Sequence, residues 1–245
     1  MPMPTSTQSI REIVSTQSSA AAVFERFDID LCARADESLH KACSELQLSV
    51  DQVLEKLTDA EASESGAVPA DPASLSPSRL IQHIVRVHHN RVRQELPRLT
   101  SMAHKLAAKH DSRAPELGKI EALLDELRAD MLSHIEKEEQ ILFPFIAQMD
   151  QDLPGSCSPT KACFRSVAQP IFMMEREHDS ANRMVAQMRS LTHDFEPPAW
   201  ACATHVALYS GLRAFEIDLT QHVHLENDVL FPRAIAMEAE LNRRG

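Results

Sequence analysis

The sequence predicts an all-α protein: an up-down-up-down four-helix bundle carrying a small helical N-terminal domain. Three observations predict it. Apolar residues recur along the chain in long stripes at 4-3 helical spacing. Aromatic residues make up only 4% of the chain, a poor supply for strands, which draw on aromatic and β-branched side chains. Two segments also repeat one pattern. HIEKEEQILFP begins at His134 and HVHLENDVLFP at His222, each with Glu four residues after His and then Leu-Phe-Pro at a common offset. Positions i and i+4 share a helix face, so each segment aims an imidazole and a carboxylate the same way.

The elements follow in order. Residues 1–60 read as the small domain, with a polar start and two or three short helices. Ile10, Ile13, Val14, Val23, Phe24, Phe27, Ile29 and Leu31 supply its apolar positions. Ser38–Leu46 and Ser49–Leu57 read as helical, with Ser49 as an N-cap. So small a core stabilises weakly, so docking on the remainder or a homodimer through this region is expected. Residues 61–78, rich in Ala, Ser and Pro, read as a linker, with Ser76 or Ser78 capping the helix that follows.

Residues 79–245 read as the bundle, with helices near 78–109, 114–149, 165–191 and 198–240. Pro144 and Pro232 are expected to bend or interrupt the second and fourth. The stripes are Ile81, Ile84, His88 and Val92; Ile120, Leu124, Leu127, Met131, His134, Glu138 and Ile141; Met174, His178, Ala181, Val185 and Met188; and Leu208, Leu212, Phe215, Leu219, His222, Glu226 and Val229. Such stripes are the buried seams of a four-helix bundle.

Composition narrows the function. A formal charge of -11 argues against a broad nucleic-acid surface. No run of about 18 uncharged apolar residues spans a membrane, and no basic, then apolar, leader opens the chain. Five cysteines with no CxxC argue against a disulfide framework and fit a cytoplasmic protein.

His88, His134, His178 and His222 interrupt the apolar seams at separations of 46, 44 and 44 residues. Near-equal spacing returns each helix of an up-down bundle to one level, so the four imidazoles are expected in one layer. Glu138 and Glu226 lie one turn from their His partners. Buried carboxylates need compensating positive charge. Two metal ions supply it, with both Glu bridging and two His on each ion. Positions remain for water, oxo or a small exogenous ligand. Mixed N/O ligation without thiolate suits iron first, then manganese or zinc.

Other residues are read as peripheral. His83 and His89 are not expected to face with His88, and His224 points away from His222. His110 is a candidate for the mouth of the site. Asp130 and Glu177 are candidates to orient a ligand His or take a proton. Glu136 and Glu139 read as solvated, and His40, His104, His193 and His205 as surface or boundary residues.

The segments HHNRVRQELP, SHIEKEEQILFP, MEREHD and QHVHLENDVLFPRA resemble the bundle motifs of hemerythrin-like di-iron proteins, specifically the iron-sulfur cluster repair family. AAAVFERFDIDLC resembles that family's N-terminal domain. The resemblance implies a hemerythrin-like bundle and a non-haem, carboxylate-bridged di-iron cofactor held by His88, His134, Glu138, His178, His222 and Glu226, with His110 near the site. The family's N-terminal domain usually carries adjacent cysteines followed by glycines. Here the stretch is Asp30-Leu31-Cys32-Ala33-Arg34, which leaves Cys32 alone as a candidate thiol.

The function implied is a nitrosative and oxidative stress response that binds nitric oxide at the iron pair and supports repair of iron-sulfur centres in client proteins. The related nitric-oxide-binding NorA-type proteins imply an alternative, a buffer that lowers free NO and tunes a regulator. A third reading is NO reduction with an external electron donor, since no flavin or nicotinamide motif is present. An O2 carrier is disfavoured by the symmetric four-His, two-Glu set.

Overall fold

The structure is a computed structural model that describes residues 4–17, 19–31, 33–64, 72–110, 113–151 and 166–244. Cys32 lies outside the described residues, as do residues 65–71 of the expected linker and the connection at 152–165. The fold is all-α, a helix bundle with a small N-terminal helical domain. Among the described residues, no helix is long and apolar enough to cross a membrane.

Four helices open the chain: α1 (Ile10–Thr16), α2 (Ala20–Arg26), α3 (Leu39–Glu45) and α4 (Val50–Glu64). The count exceeds the two or three expected, because the stretch before Ser38 forms two separate short helices, α1 and α2; Ser9 caps α1 and Ser38 caps α3. Ser9 forms a full capping box with Glu12. Helix α4 runs into the stretch expected as linker, since EASE carries no helix breaker. Next come α5 (Pro77–Ile84), capped by Ser76 with Pro77 at its start, and α6 (Asn90–His110). The chain continues through α7 (Glu116–Lys137), α8 (Phe143–Asp150), α9 (Ala168–Leu191), α10 (Ala203–His224) and α11 (Phe231–Arg244).

Three joints between these helices are π-helical turns: Val85–His89, Glu138–Leu142 and Leu225–Leu230. Each shows an i to i−5 bond. Asn90 N–H donates to the Val85 carbonyl, Phe143 N–H to Glu138, and Phe231 N–H to Glu226. Pro144 and Pro232 follow the second and third joints. A proline has no N–H and crowds the carbonyl four residues back, here Gln140 and Asp228. Both carbonyls lie inside a π turn, the widening that removes the clash. The expected interruptions are therefore local register shifts that leave helix on both sides.

The register shift revises the seams. After Glu138 the buried residues are Leu142 and Phe143, while Ile141 is exposed. After Glu226 they are Leu230 and Phe231. On the first helix pair the buried run is Leu80, Ile84, His89, Val92 and Leu96, with a step of five across the π turn.

The chain divides into two compact units. The first comprises Met1–Val68, Pro97–Leu124 and Gln187–Phe215. Here Ile10, Ile13, Phe24, Leu39, Cys43, Val53 and Leu57 are buried, and Gln17 Nε2 donates to the Leu57 carbonyl at 2.7 Å. Arg11 donates to the Ala201 carbonyl, tying α1 to the start of α10. The turn after α9 holds His193, Asp194 and Phe195 at positive φ. Thr192 Oγ1 accepts from Phe195 N–H and Arg189 pairs with Asp194, which hold this costly conformation.

Gly211 sits against Leu99 in the same unit. A Cβ there would fall 2.6 Å from Leu99 Cδ2, and Leu99 is fully buried. Gly to Ala inside a helix ordinarily gains about 1 kcal/mol. Overpacking costs about 1–3 kcal/mol. Gly211→Ala is therefore expected to lower the midpoint of chemical denaturation, opposite in sign to the helix-propensity effect.

The second unit comprises Pro69–Leu96, Asp125–Ala186 and Glu216–Gly245. Its core joins Leu80, Ile84, Leu142, Phe143, Ile146, Ile171, Met174, Leu230 and Phe231. Glu238 accepts from Ser166 Oγ and Val167 N–H, fastening the start of α9 to α11. All three π turns lie in this unit.

Candidate metal centre

Six side chains converge inside the second unit: His89, His134, Glu138, His178, His222 and Glu226. They form two overlapping groups. His89, Glu138, His222 and Glu226 make one, and His134, Glu138, His178 and Glu226 the other; within each, one ligand atom per residue lies within 4.8 Å of all the others. Both carboxylates belong to both groups. Every member is at most 1% exposed.

The sequence expectation named five of these six. The sixth, expected to be His88, is its neighbour His89. The π turn at Val85–His89 carries the seam from Ile84 to the fifth residue on. His88 instead turns aside, where its Nδ1 lies 3.0 Å from Asp218 Oδ1 and its ring stacks on His222 at 5.6 Å. His83 meets His88 edge-on at 5.8 Å.

Distances within the cluster are short. His134 Nε2 lies 3.3 Å from Glu138 Oε2, and His89 Nε2 lies 3.4 Å from the same oxygen. His222 Nε2 lies 3.0 Å from Glu226 Oε1, and His178 Nε2 lies 3.0 Å from Glu226 Oε2. The Nε2 atoms of His134 and His178 face each other at 2.9 Å. Both Glu138 oxygens and His89 Nε2 are buried without a hydrogen-bond partner among the described residues. Unpaired buried polar atoms of this kind are expensive.

The outer edges of the rings carry the complementary signal. His89 Nδ1 lies 2.7 Å from Glu139 Oε1, His134 Nδ1 2.9 Å from Glu177 Oε2, and His178 Nδ1 2.9 Å from Asn227 Oδ1. A donating Nδ1–H leaves Nε2 as a lone pair aimed inward, the arrangement of metal-binding histidines. Arg93 pairs with Glu139 at 2.9 Å and Lys137 with Glu177 at 2.5 Å, so each acceptor is itself held by a cation. His134 and Lys137 hold Glu177 at about 2 despite partial burial.

The electrostatics show a deficit of positive charge. Burial disfavours protonated His89 and His134, yet Glu138 and Glu226 outweigh it and raise them to about 9 and about 10. Burial pushes Glu226 up, but His222 and His178 hold it well below the ordinary carboxylate range. Two buried carboxylates therefore recruit positive charge from whatever is at hand. A pair of cations fits this donor set, and mixed imidazole and carboxylate donors without sulfur suit iron, manganese or zinc.

The remaining expectations divide. Glu177 reaches His134 as anticipated. Asp130 is exposed and has no hydrogen bond to the cluster among the described residues. Glu139, read as solvated, accepts from His89, because His89 rather than His88 faces inward. Asn227 was not anticipated; its position one residue after Glu226 in the π turn is the only sequence trace of its role. Cys43 is buried in the first unit, where burial raises its thiol.

His110 lies in the first unit against Trp200, at 5.7 Å between ring centroids, and Arg113 covers the same indole at 4.4 Å. His205, expected as a surface or boundary residue, is fully buried between Trp200 and Tyr209. Neither of its ring nitrogens has a hydrogen-bond partner among the described residues. Burial first, and His110 second, lower it to about 4. The unfolded chain therefore takes up a proton near pH 6.5 that the folded chain refuses until about pH 4. Stability from this residue is complete above 6.5 and falls as pH drops through that window, by up to about 3 kcal/mol. His205→Phe is expected to shrink the difference between denaturation midpoints at pH 7.5 and 4.5.

Comparison with known proteins agrees with this architecture. The family model described as hemerythrin HHE cation binding domain matches residues 80–234. A second model, ScdA_N, described as a domain of unknown function, matches residues 6–61. A probable iron-sulfur cluster repair protein of Haemophilus influenzae is 34% identical over 93% of this chain and 96% of its own. The iron-sulfur cluster repair protein YtfE of Dickeya chrysanthemi is 36% identical over 94% and 98%, and that of Enterobacter sp. 34% identical over 94% and 98%. The chain belongs to the hemerythrin-domain iron-sulfur cluster repair family.

Proposed function

We propose that this protein holds a carboxylate-bridged pair of iron ions and supports the repair of iron-sulfur centres damaged by nitrosative or oxidative stress. The observation that carries the reading is the shared use of Glu138 and Glu226 by two buried His pairs. The relatives, all named as iron-sulfur cluster repair proteins, support the repair role. In this reading His89 and His222 hold one ion and His134 and His178 the other. The bound pair supplies redox change and exchangeable positions where nitric oxide or O2 binds. Glu177, Glu139 and Asn227 orient the imidazoles, and the apolar residues packed around the layer keep bulk water out. Iron-sulfur client proteins, an external electron donor, a cytoplasmic setting and a homodimer belong to the same proposal, as does a division into residues 1–60, 61–78 and 79–245.

A second reading is an NO buffer that lowers free NO and tunes a regulator. The single Cys32, where the resembled family carries a cysteine pair, favours it. One experiment separates them. The protein is loaded with ferrous iron without oxygen, exposed to NO, and mixed with an NO-damaged iron-sulfur enzyme. Recovery that depends on Glu138 and Glu226 supports repair. Stoichiometric NO uptake with no recovery supports the buffer, and catalytic N2O with an electron donor indicates reduction. Failure to bind iron sinks all three.

A further inference from the structure

The four inward histidines are not equally supported on their outer sides. His134 Nδ1 meets Glu177 and His178 Nδ1 meets Asn227, so both imidazoles of that pair are anchored. In the other pair, His89 Nδ1 meets Glu139. His222 Nδ1 is buried with no partner among the described residues. The reason is local. Asp218, one turn before His222 on α10 and itself buried, is engaged by His88 Nδ1. The His88 ring then lies stacked on the His222 ring at 7° between planes, where it offers no acceptor to Nδ1.

We infer that the two metal positions are inequivalent, and that the ion held by His89 and His222 is the more weakly bound and leaves first. The inference rests on the two-metal reading above and goes beyond it by assigning Glu139, Glu177 and Asn227 as positioning residues for particular ions. An outer hydrogen bond fixes the tautomer and orientation of a ligating imidazole and raises its basicity; its loss typically lowers metal affinity about 10–100-fold. One missing partner of four therefore separates the two positions by about that factor.

The test is metal release from the full chain. Protein loaded anaerobically with two ferrous ions is mixed with excess ferrous chelator, and the coloured complex is followed in time. The wild type is expected to release iron in two phases of equal amplitude, separated about 10–100-fold in rate. Glu139→Ala is expected to speed the fast phase, and Asn227→Ala the slow phase. Glu139→Gln, which keeps an acceptor oxygen, is expected to restore wild-type rates, separating positioning from misfolding. In crystals soaked with chelator to half occupancy, anomalous scattering is expected beside His134 and His178 alone. Release of both ions in a single phase overturns the inference while leaving the metal reading intact, as does residual scattering beside His89. A chain that binds no iron at all removes the metal reading and this inference together.

Discussion

His89→Ala is expected to abolish tight binding of one of the two ions, whereas His88→Phe retains both. The two residues are neighbours, and only the π turn at Val85–His89 decides between them. His89 Nε2 lies 3.4 Å from Glu138 and 3.6 Å from Glu226, with no hydrogen-bond partner of its own among the described residues. Its removal deletes an inner ligand, and affinity at that position should fall by more than the roughly 10–100-fold assigned to an outer partner. His88 faces Asp218 instead. A phenyl ring preserves the stack on His222 but leaves a buried carboxylate without its partner. Leaving a buried acceptor without its donor in this way costs about 1–3 kcal/mol. The two variants should therefore fail differently, His89→Ala in iron per chain by elemental analysis and His88→Phe in denaturation midpoint. Equal iron loss in both would return His88 to the ligand set.

That pair of residues also marks where the sequence stops being legible. The bundle, its helix positions and five of the six converging side chains follow from 3.6-residue periodicity, because most of each helix obeys it. His178 sits on α9, which carries no π turn, and its whole expected stripe from Met174 to Met188 is buried. Where a π turn intervenes, the periodic rule slips by one residue. Two of the three slips leave a trace, since Pro144 and Pro232 each block a helical bond inside the preceding turn. In those cases the His precedes the π turn and the Glu sits at its start, so the pairing His134 with Glu138 and His222 with Glu226 survives; Ile141 turns outward, and Val229 is only partly buried. The slip at Val85–His89 has no nearby proline and falls between Ile84 and the converging imidazole itself. Two adjacent histidines then offered no local means of choosing.

The outer hydrogen bonds were harder to read, for a different reason. Glu139 and Asn227 adjoin Glu138 and Glu226 in sequence but serve imidazoles on other helices, 50 and 49 residues away. Such pairings depend on which helices are neighbours and on their rotation. The stripes of single helices carry neither quantity. His205 misled in the opposite direction. A histidine beside Trp200 near a helix start reads as a boundary residue, yet the first unit closes over it.

Glu138→Leu combined with Glu226→Leu is expected to abolish binding of both ions and to reverse the usual sign of a core mutation in the metal-free protein. Glu138 and Glu226 are fully buried, and both Glu138 oxygens lack hydrogen-bond partners among the described residues. Without metal they are sustained by protonated imidazoles, an arrangement that well-packed apolar residues of similar volume commonly improve upon by about 1–4 kcal/mol. With metal, each ion present at about a thousand times its dissociation constant adds roughly 4 kcal/mol to folding. Chelation of the wild type should then cost roughly 8 kcal/mol for two ions, a fall in melting temperature of roughly 15–30 °C for a chain of this size. The double variant should melt at one temperature with or without chelator, and that temperature should lie between the wild-type values with and without metal. Calorimetry of the four samples decides the point. If the wild type ignores the chelator, the two carboxylates have some other partner. If the double variant melts below the metal-free wild type, the glutamates contribute to the fold itself, and their burial is not a cost carried for the sake of the metal.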